Sequence, residues 1–261
     1  MNKQRFTGQP WAIHAGSGQA FADQRGNAMG FEIPAPAPAQ SAEIIDGVAI
    51  IDVSGVVLKD PDAIDTFFGA ADIDGISNLL HEAEGREDVL SVVLRMDTPG
   101  GTITGVPELA EQIANMGKPV VAFTDTLCAS AGYWLAASAD AFIATQSAIV
   151  GSIGVYTLLH DYSRAYEAAG VRAVLVKAGD LKGSGIQGTQ ITEEQIADIQ
   201  RGIDYCYEQF AGHVTEHRPQ VSSDTMQGQT FHAGEALPVG LIDGIESDLL
   251  GAVELARSMA G

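Results

Sequence analysis

Val89-Leu90-Ser91-Val92-Val93-Leu94-Arg95-Met96-Asp97-Thr98-Pro99-Gly100-Gly101 is the stretch whose reading decides the fold. From Val89 to Met96 it is almost continuously apolar, the pattern of a strand buried on both faces of a parallel sheet. It stops at Pro99-Gly100-Gly101, and apolar residues at helical spacing follow through Leu109 and Ile113. A buried strand that ends in a glycine turn and feeds a helix is the building unit of a parallel α/β sheet.

The same order recurs to either side. Upstream, VAIIDVSGVV (48–57) reads as a strand, 58–72 as a loop or insertion, and DIDGISNLLHEA (73–84) as an amphipathic helix. Downstream, PVVAFTDT (119–126) predicts a strand and SAGYWLAASA (130–139) a helix rich in small residues. AFIATQ (141–146) and IVGSIGVYTLL (149–159) predict strands, YSRAYEAAG (162–170) a short helix, and VRAVLVKAG (171–179) another buried strand. A long helix over 191–214 has an acidic first turn, and a last helix spans 247–259. No fixed-period repeat is visible.

Residues 1–42 differ from the rest. They are rich in Gly, Gln and Ala and end in IPAPAPAQSAE, where Pro34, Pro36 and Pro38 favour an extended tether. They are read as a flexible N-terminal arm ahead of a domain over 43–261, with a segment that docks on a partner or is trimmed as the alternative.

The chain has 261 residues, 46% of them hydrophobic and 18% charged, enough for one large core and unlike a disordered acidic protein. A net charge of −20 repels phosphate backbones, so no nucleic-acid partner is expected. The two cysteines, Cys128 and Cys206, make neither a disulfide framework nor a zinc spacing. The opening MNKQRFTGQPWAIHAG lacks the apolar stretch of a signal peptide. No window approaches the roughly 18 apolar residues of a membrane span. A cytoplasmic protein with no membrane contact is expected.

Three places carry chemistry. Gly100 and Gly101, at a strand's carboxyl end, leave backbone N–H groups open to an anion or oxyanion; a tight structural turn is the plainer reading. Ser130 falls after the next strand, at a helix start. There its hydroxyl is either a nucleophile, with the Ala131 N–H beside it, or an ordinary N-cap. Cys128 is a rival nucleophile or a small buried residue.

A nucleophilic serine needs a base. His14, His213, His217 and His232 are poorly placed; His160 is the one histidine close after Ser130. A lysine in a dry site is another route. Of Lys3, Lys59, Lys118, Lys177 and Lys182, the last suits best, in the Gly-rich AGDLKGSG. A solvated loop lysine is its bland alternative. Ser152, between Gly151 and Ile153-Gly154, either holds such an amine or bonds backbone in a turn.

Taken together these segments resemble the signal peptide peptidase A (SppA) family of serine proteases, over roughly residues 45–250. Asp97–Gly101 matches its D-[ST]-P-G-G turn and Ser130–Tyr133 its S-A-G-Y. Val150–Val155 matches T-G-S-[IL]-G-V with Val for Thr, and Gly179–Lys182 its G-x-x-K. Phe231, Gly234 (one place late), Ala236, Gly240, Leu241 and Asp243 follow its closing pattern. The polar Pro/Ala-rich start, without an anchor, is more similar to the phage capsid-assembly branch, head maturation proteases of the lambda C type. The chain stops near Gly261, so a scaffold is expected on another polypeptide.

The resemblance implies a ClpP/crotonase-like α/β fold of stacked ββα units with a mainly parallel sheet. It implies a Ser130–Lys182 dyad, Ser152 orienting the lysine, and an oxyanion hole from Gly101 and Ala131 with Gly100 shaping the turn. No metal or organic cofactor is implied. The implied partners are protein or peptide substrates such as scaffold, portal or capsid proteins, and copies of the chain in a homo-oligomeric ring whose dyad is shared between protomers. Small apolar surroundings at Ser130 point to small or apolar residues at the cleaved bond. Alternatives are a cytoplasmic peptidase of signal or other peptides, an inactive capsid-assembly relative, a crotonase-like acyl-CoA enzyme, and a Ser–His–Asp peptidase using His160.

Overall fold

A computed structural model describes residues 10–14, 17, 23 and 42–261. Its centre is a six-stranded sheet. β2 (Glu43–Ile45) pairs antiparallel with β3 (Val48–Ser54). Then β6 (Ser91–Asp97), β8 (Val120–Thr124), β10 (Ala141–Ala144) and β13 (Gly244–Ile245) follow in parallel. β6 lies inside the sheet, as its apolar run requires. Val92, Leu94 and Met96 enter the main core while Val93 faces the other way. Where β6 becomes polar, Arg95 pairs with Asp52, its register partner on β3, through two bonds of 2.5 and 2.6 Å.

Three of these strands, β3, β6 and β8, are each followed by a short strand in a second layer and then by a helix. β3 leads to β4 (Val57–Leu58), α1 (Ala63–Phe67), β5 (Ala71–Asp72) and α2 (Ile73–Gly85). β6 leads to β7 (Gly100–Thr102) and α3 (Val106–Ala114), and β8 leads to β9 (Leu127–Ala129) and α4 (Ala131–Ala137). β10 leads to β11 (Ile149–Gly151). These are the expected stacked ββα units. The stretch 58–72 is structured rather than a loop.

Leu79 and Leu80 of α2, Leu109 and Ile113 of α3, and the whole of α4 bury against the main core. After the 3-10 turn Ser223–Thr225 come β12 (Thr230–His232) and α7 (Ala233–Ala236). The last helix, numbered after those below, covers the other sheet face with Ala252, Val253 and Ala256 against Val93, Val121 and Phe123.

Beyond Ile153 the chain leaves the core and returns to it at Phe210. α5 (Ser163–Ala168) forms as expected, as do α6 (Glu193–His217) and α8 (Leu249–Met259). However, Gln195 is the only buried residue between Gly154 and Gln209. The strand expected over 171–179 is absent, and Val174 and Val176 are 70% and 91% exposed. The apolar run is there, but the described residues of this chain offer it neither a strand edge nor a covering helix. Of the strand expected over 149–159, β11 and an isolated bridge at Tyr156 form.

The N-terminal stretch requires a correction. β1 (Trp11–Ile13) is a buried strand, paired antiparallel with β7 in the order β1-β7-β4-β5. Residues 10–14 are therefore not a free arm; their apolar side chains find cover on the second layer. Apart from residues 17, 23 and 42, the rest of that arm, including Pro34, Pro36 and Pro38, lies outside the described residues.

Candidate active site

Thr98 ties two strand ends together. Its N–H donates to the Leu127 carbonyl at 2.8 Å, and its carbonyl accepts from the Ala129 N–H at 3.0 Å. Its hydroxyl donates to the Gly55 carbonyl at 2.6 Å and accepts from the Gly100 N–H at 3.0 Å. The glycine turn and the Ser130 turn are thereby held edge to edge.

Two glycines make that approach possible. A Cβ on Gly100 would stand 2.9 Å from both Ser130 Cβ and Ala131 N. A Cβ on Gly132 would stand 2.3 Å from Thr98 Cγ2. Any side chain at either place forces the turns apart.

Ser130 sits between β9 and α4 with φ 56° and ψ −120°, in the left-handed half of conformational space where a side chain is strained. Its N–H donates to the Gly151 carbonyl at 2.7 Å and its carbonyl accepts from Trp134 N–H at 2.9 Å. Its side chain does not cap the helix. The hydroxyl is buried and has no hydrogen-bond partner among the described residues. The N-cap reading is thus set aside by geometry: the backbone is strained and the hydroxyl left unengaged. The Ala131 N–H beside it is among the first donors of α4, which have no partner within the helix.

The strands that carry Ser130 and Ser152 are neighbours, Ala129 pairing with Gly151. Ser152 is buried, with φ 55°, and its N–H donates to the Gln229 carbonyl at 2.6 Å. Four candidates are therefore gathered at one place: Ser130, Ala131, Gly100 and Ser152. Gly101 stands next to them in β7, its Cα packed so that a Cβ would fall 1.8 Å from the Val57 carbonyl oxygen.

Lys182 is not in contact with Ser130 within this chain. It is exposed in the turn-rich segment after Gly179. The other described lysines are engaged. Lys59 pairs with Asp74 at 2.6 Å, Lys118 donates to the carbonyls of Ala83 and Arg86, and Lys177 donates to that of Asp180. Among the described residues, the Lys182 amine has no hydrogen bond or ion pair. Cys128 is fully buried in β9 and burial pushes its thiol well above the ordinary range, so it packs as a neutral side chain. His160 is exposed and stacks on Tyr162, with no hydrogen bond to the Ser130 hydroxyl.

The remaining motif residues hold the frame. The Tyr133 hydroxyl donates to the Leu241 carbonyl at 2.9 Å. Asp243 accepts from Phe142 N–H at 2.7 Å and from the buried Arg218, which also donates to the Ala139 carbonyl at 3.0 Å. Among the described residues no group of three or more His, Cys, Asp or Glu is placed to hold a metal ion. No helix there is long and apolar enough to cross a membrane.

A family model for peptidase family S49 matches residues 112–256. The chain is 32% identical over 213 residues to capsid assembly protease C of Escherichia phage lambda, covering 80% of this chain and 48% of that protein. It is 28% identical over 208 residues to Protease 4 of Haemophilus influenzae, covering 77% of this chain and 33% of that one. The chain thus spans half or less of the length of these relatives. A ClpP1 structure from Listeria monocytogenes matches over 78% of this chain and 94% of its own, with a TM-score of 0.51 at 14% identity. At that identity the likeness concerns the fold alone, which is of the ClpP/crotonase type.

Proposed function

Because the chain belongs to peptidase family S49, we propose that it is a serine endopeptidase in which Ser130 is the nucleophile and Lys182 the general base. The observation that carries this reading is the Ser130 hydroxyl: buried, bonded to nothing, on strained backbone against a glycine turn. Strain of this kind costs on the order of 1–3 kcal/mol and persists where the surrounding structure enforces it.

Ser130 Oγ attacks the scissile carbonyl carbon while the free amine of Lys182 takes its proton. The oxyanion is held by the N–H groups of Ala131 and Gly101, with Gly100 shaping the turn. Each such donor contributes about 3 kcal/mol to the transition state. The lysine returns the proton to the leaving amine, and water then releases the acyl group by the same steps. Ser152, one strand over, orients the amine.

The dyad is completed between protomers. The segment 171–176, with Val171, Val174 and Val176 exposed, precedes Lys182 and lacks cover in one chain. A ring of copies supplies that cover and carries Lys182 to a neighbour's serine. Similarity to a capsid assembly protease supports scaffold, portal or capsid proteins as substrates, with the work done in the host cytoplasm or prohead. No cofactor enters these steps.

The test is co-expression with neighbouring capsid genes followed by mass spectrometry, alongside a casein digest. Defined cleavages with wild type and none with Ser130→Ala support the reading. Casein cleavage with intact capsid proteins points instead to a general peptidase. Cleavage that survives Ser130→Ala overturns the assignment.

A further inference from the structure

A serine that attacks peptides must meet one, yet Ser130 is 1% exposed. The strand lying along the glycine turn is β1, from the chain's own N-terminal stretch. Trp11 lies opposite Thr102, Ala12 opposite Gly101 and Ile13 opposite Gly100. On its other edge Trp11 exchanges both backbone bonds with Tyr156, at 2.9 and 3.0 Å. The strand therefore fills a slot between β7 and Tyr156.

The direction of its polar groups follows from the ladder. Successive residues of a strand turn their N–H and C=O to opposite edges. Trp11 points to Tyr156, so Ala12 points to its register partner Gly101. His14, two residues on, donates to the Pro99 carbonyl at 2.6 Å on that same edge. The Ala12 carbonyl is thus presented to the Gly101 N–H, one of the two oxyanion donors. Its oxygen is 2.2 Å from the point a Gly100 Cβ would occupy, a point 2.9 Å from Ser130 Cβ and Ala131 N.

The side chains are seated as well. Trp11 and Ile13 form a buried cluster with Val56 and Leu58, packed against Phe68 and Ala70. Ala12 is fully buried in the main core.

We propose that the slot between β7 and Tyr156 is the peptide-binding site and that Trp11–Ile13 is its resident occupant, a strand of this chain that substrate must displace. This rests on the peptidase reading of Ser130 and adds to it. The occupant also defines the class of peptide: an extended segment with a small residue at the glycine turn, flanked by large apolar residues over Val56 and Leu58. Strand addition supplies affinity through main-chain bonds and selects by alternate side chains. A tethered occupant competes at an effective concentration in the millimolar range, so it holds back weak peptides.

The experiment uses the full-length chain and a fluorescein-labelled peptide with the sequence of residues 9–15. Its binding is followed by anisotropy, and the accessibility of Ser130 by fluorophosphonate labelling. Trp11→Ser with Ile13→Ser releases the strand. Trp11→Cys with Tyr156→Cys locks it, because paired residues of this kind have Cα atoms about 5.5 Å apart, within disulfide reach. The release variant should bind the peptide and label roughly tenfold or more better than wild type. The oxidised lock should do neither, and reduction should reverse this. Equal binding and labelling in wild type, release variant and oxidised lock overturn the proposal. So does a lock pair that fails to oxidise, since it puts Trp11 away from Tyr156. If the release variant does not fold, the oxidised-against-reduced comparison decides. Peptide binding in the expected order without any labelling of Ser130 leaves the occupant standing and refutes the peptidase reading instead.

Discussion

Ser130 and Ser152 stand side by side where two parallel strands stop. The last paired residues are Ala129 and Gly151, and the Ser130 N–H donates to the Gly151 carbonyl at 2.7 Å. Both serines take left-handed backbone, with φ of 56° and 55°. Glycine relieves such strain at no steric cost, yet both positions keep a hydroxyl. The pair therefore marks the candidate site more sharply than either serine does alone.

Replacing Ser152 by glycine separates the two roles open to it. Relief of strain should raise stability by roughly 1 kcal/mol, read as a melting temperature a few degrees higher. Activity should fall at least tenfold, because the group orienting the lysine is gone. Unchanged activity would make Ser152 a turn residue only.

Gly132→Ala should push Thr98 out of place, since the new Cβ meets Thr98 Cγ2 at 2.3 Å. Overpacking of this sort costs about 1–3 kcal/mol. Activity should drop with it, because the Thr98 hydroxyl holds the Gly100 N–H. Thr98→Ser removes Cγ2 and keeps that hydroxyl. The double variant should recover most of both losses, as a double-mutant cycle would show. No recovery would mean that Thr98 is not the link between the two turns.

A dyad shared between protomers predicts complementation. Ser130→Ala and Lys182→Ala should each be inactive alone. Subunits mixed in equal amounts and allowed to exchange should regain about a quarter of wild-type activity, since a random ring pairs intact serine with intact lysine at one site in four. Lys182→Arg should not substitute, because guanidinium keeps its protons. A mixture as inactive as its components would place the dyad within one chain.

His213 sets an acid limit on stability. Burial holds its ring well below the usual range, at about 4, with His217 acting in the same direction. Unfolded, it titrates near 6.5. As pH falls below 6.5 the unfolded chain takes up a proton that the native chain refuses, so stability falls until about pH 4 and then levels off. The ring is partly exposed, which reduces the effect to roughly 1–2 kcal/mol between pH 7 and 4.5. Chemical denaturation of wild type and His213→Gln at both values should differ by that amount. Parallel behaviour would show that His213 titrates freely.

Much of the fold was legible because β6 and β8 are buried on both faces, which leaves a continuous apolar run in the sequence. The run over 171–176 has the same composition and no strand forms there. An apolar run records a need for cover, not where the cover comes from. β1, β7 and β9 are not legible in the sequence for a different reason. Three residues are too few for a periodic pattern, and the partners of β1 lie near residues 101 and 156. Trp11-Ala12-Ile13 after Pro10 was the available signal. Ser130 was visible by position, but its strained φ and unengaged hydroxyl were not. Thr98 was visible as part of the D-[ST]-P-G-G match, and its bridging role only through its four hydrogen bonds.

The central claim is that Ser130 is the nucleophile, and covalent labelling tests it most directly. Full-length protein treated with a fluorophosphonate and digested should carry the phosphonyl group on Ser130. Ser130→Ala should carry none while melting within a degree or two of wild type, since the lost hydroxyl bonds nothing. An adduct on any other residue, or labelling of Ser130→Ala at the wild-type rate, would contradict the account.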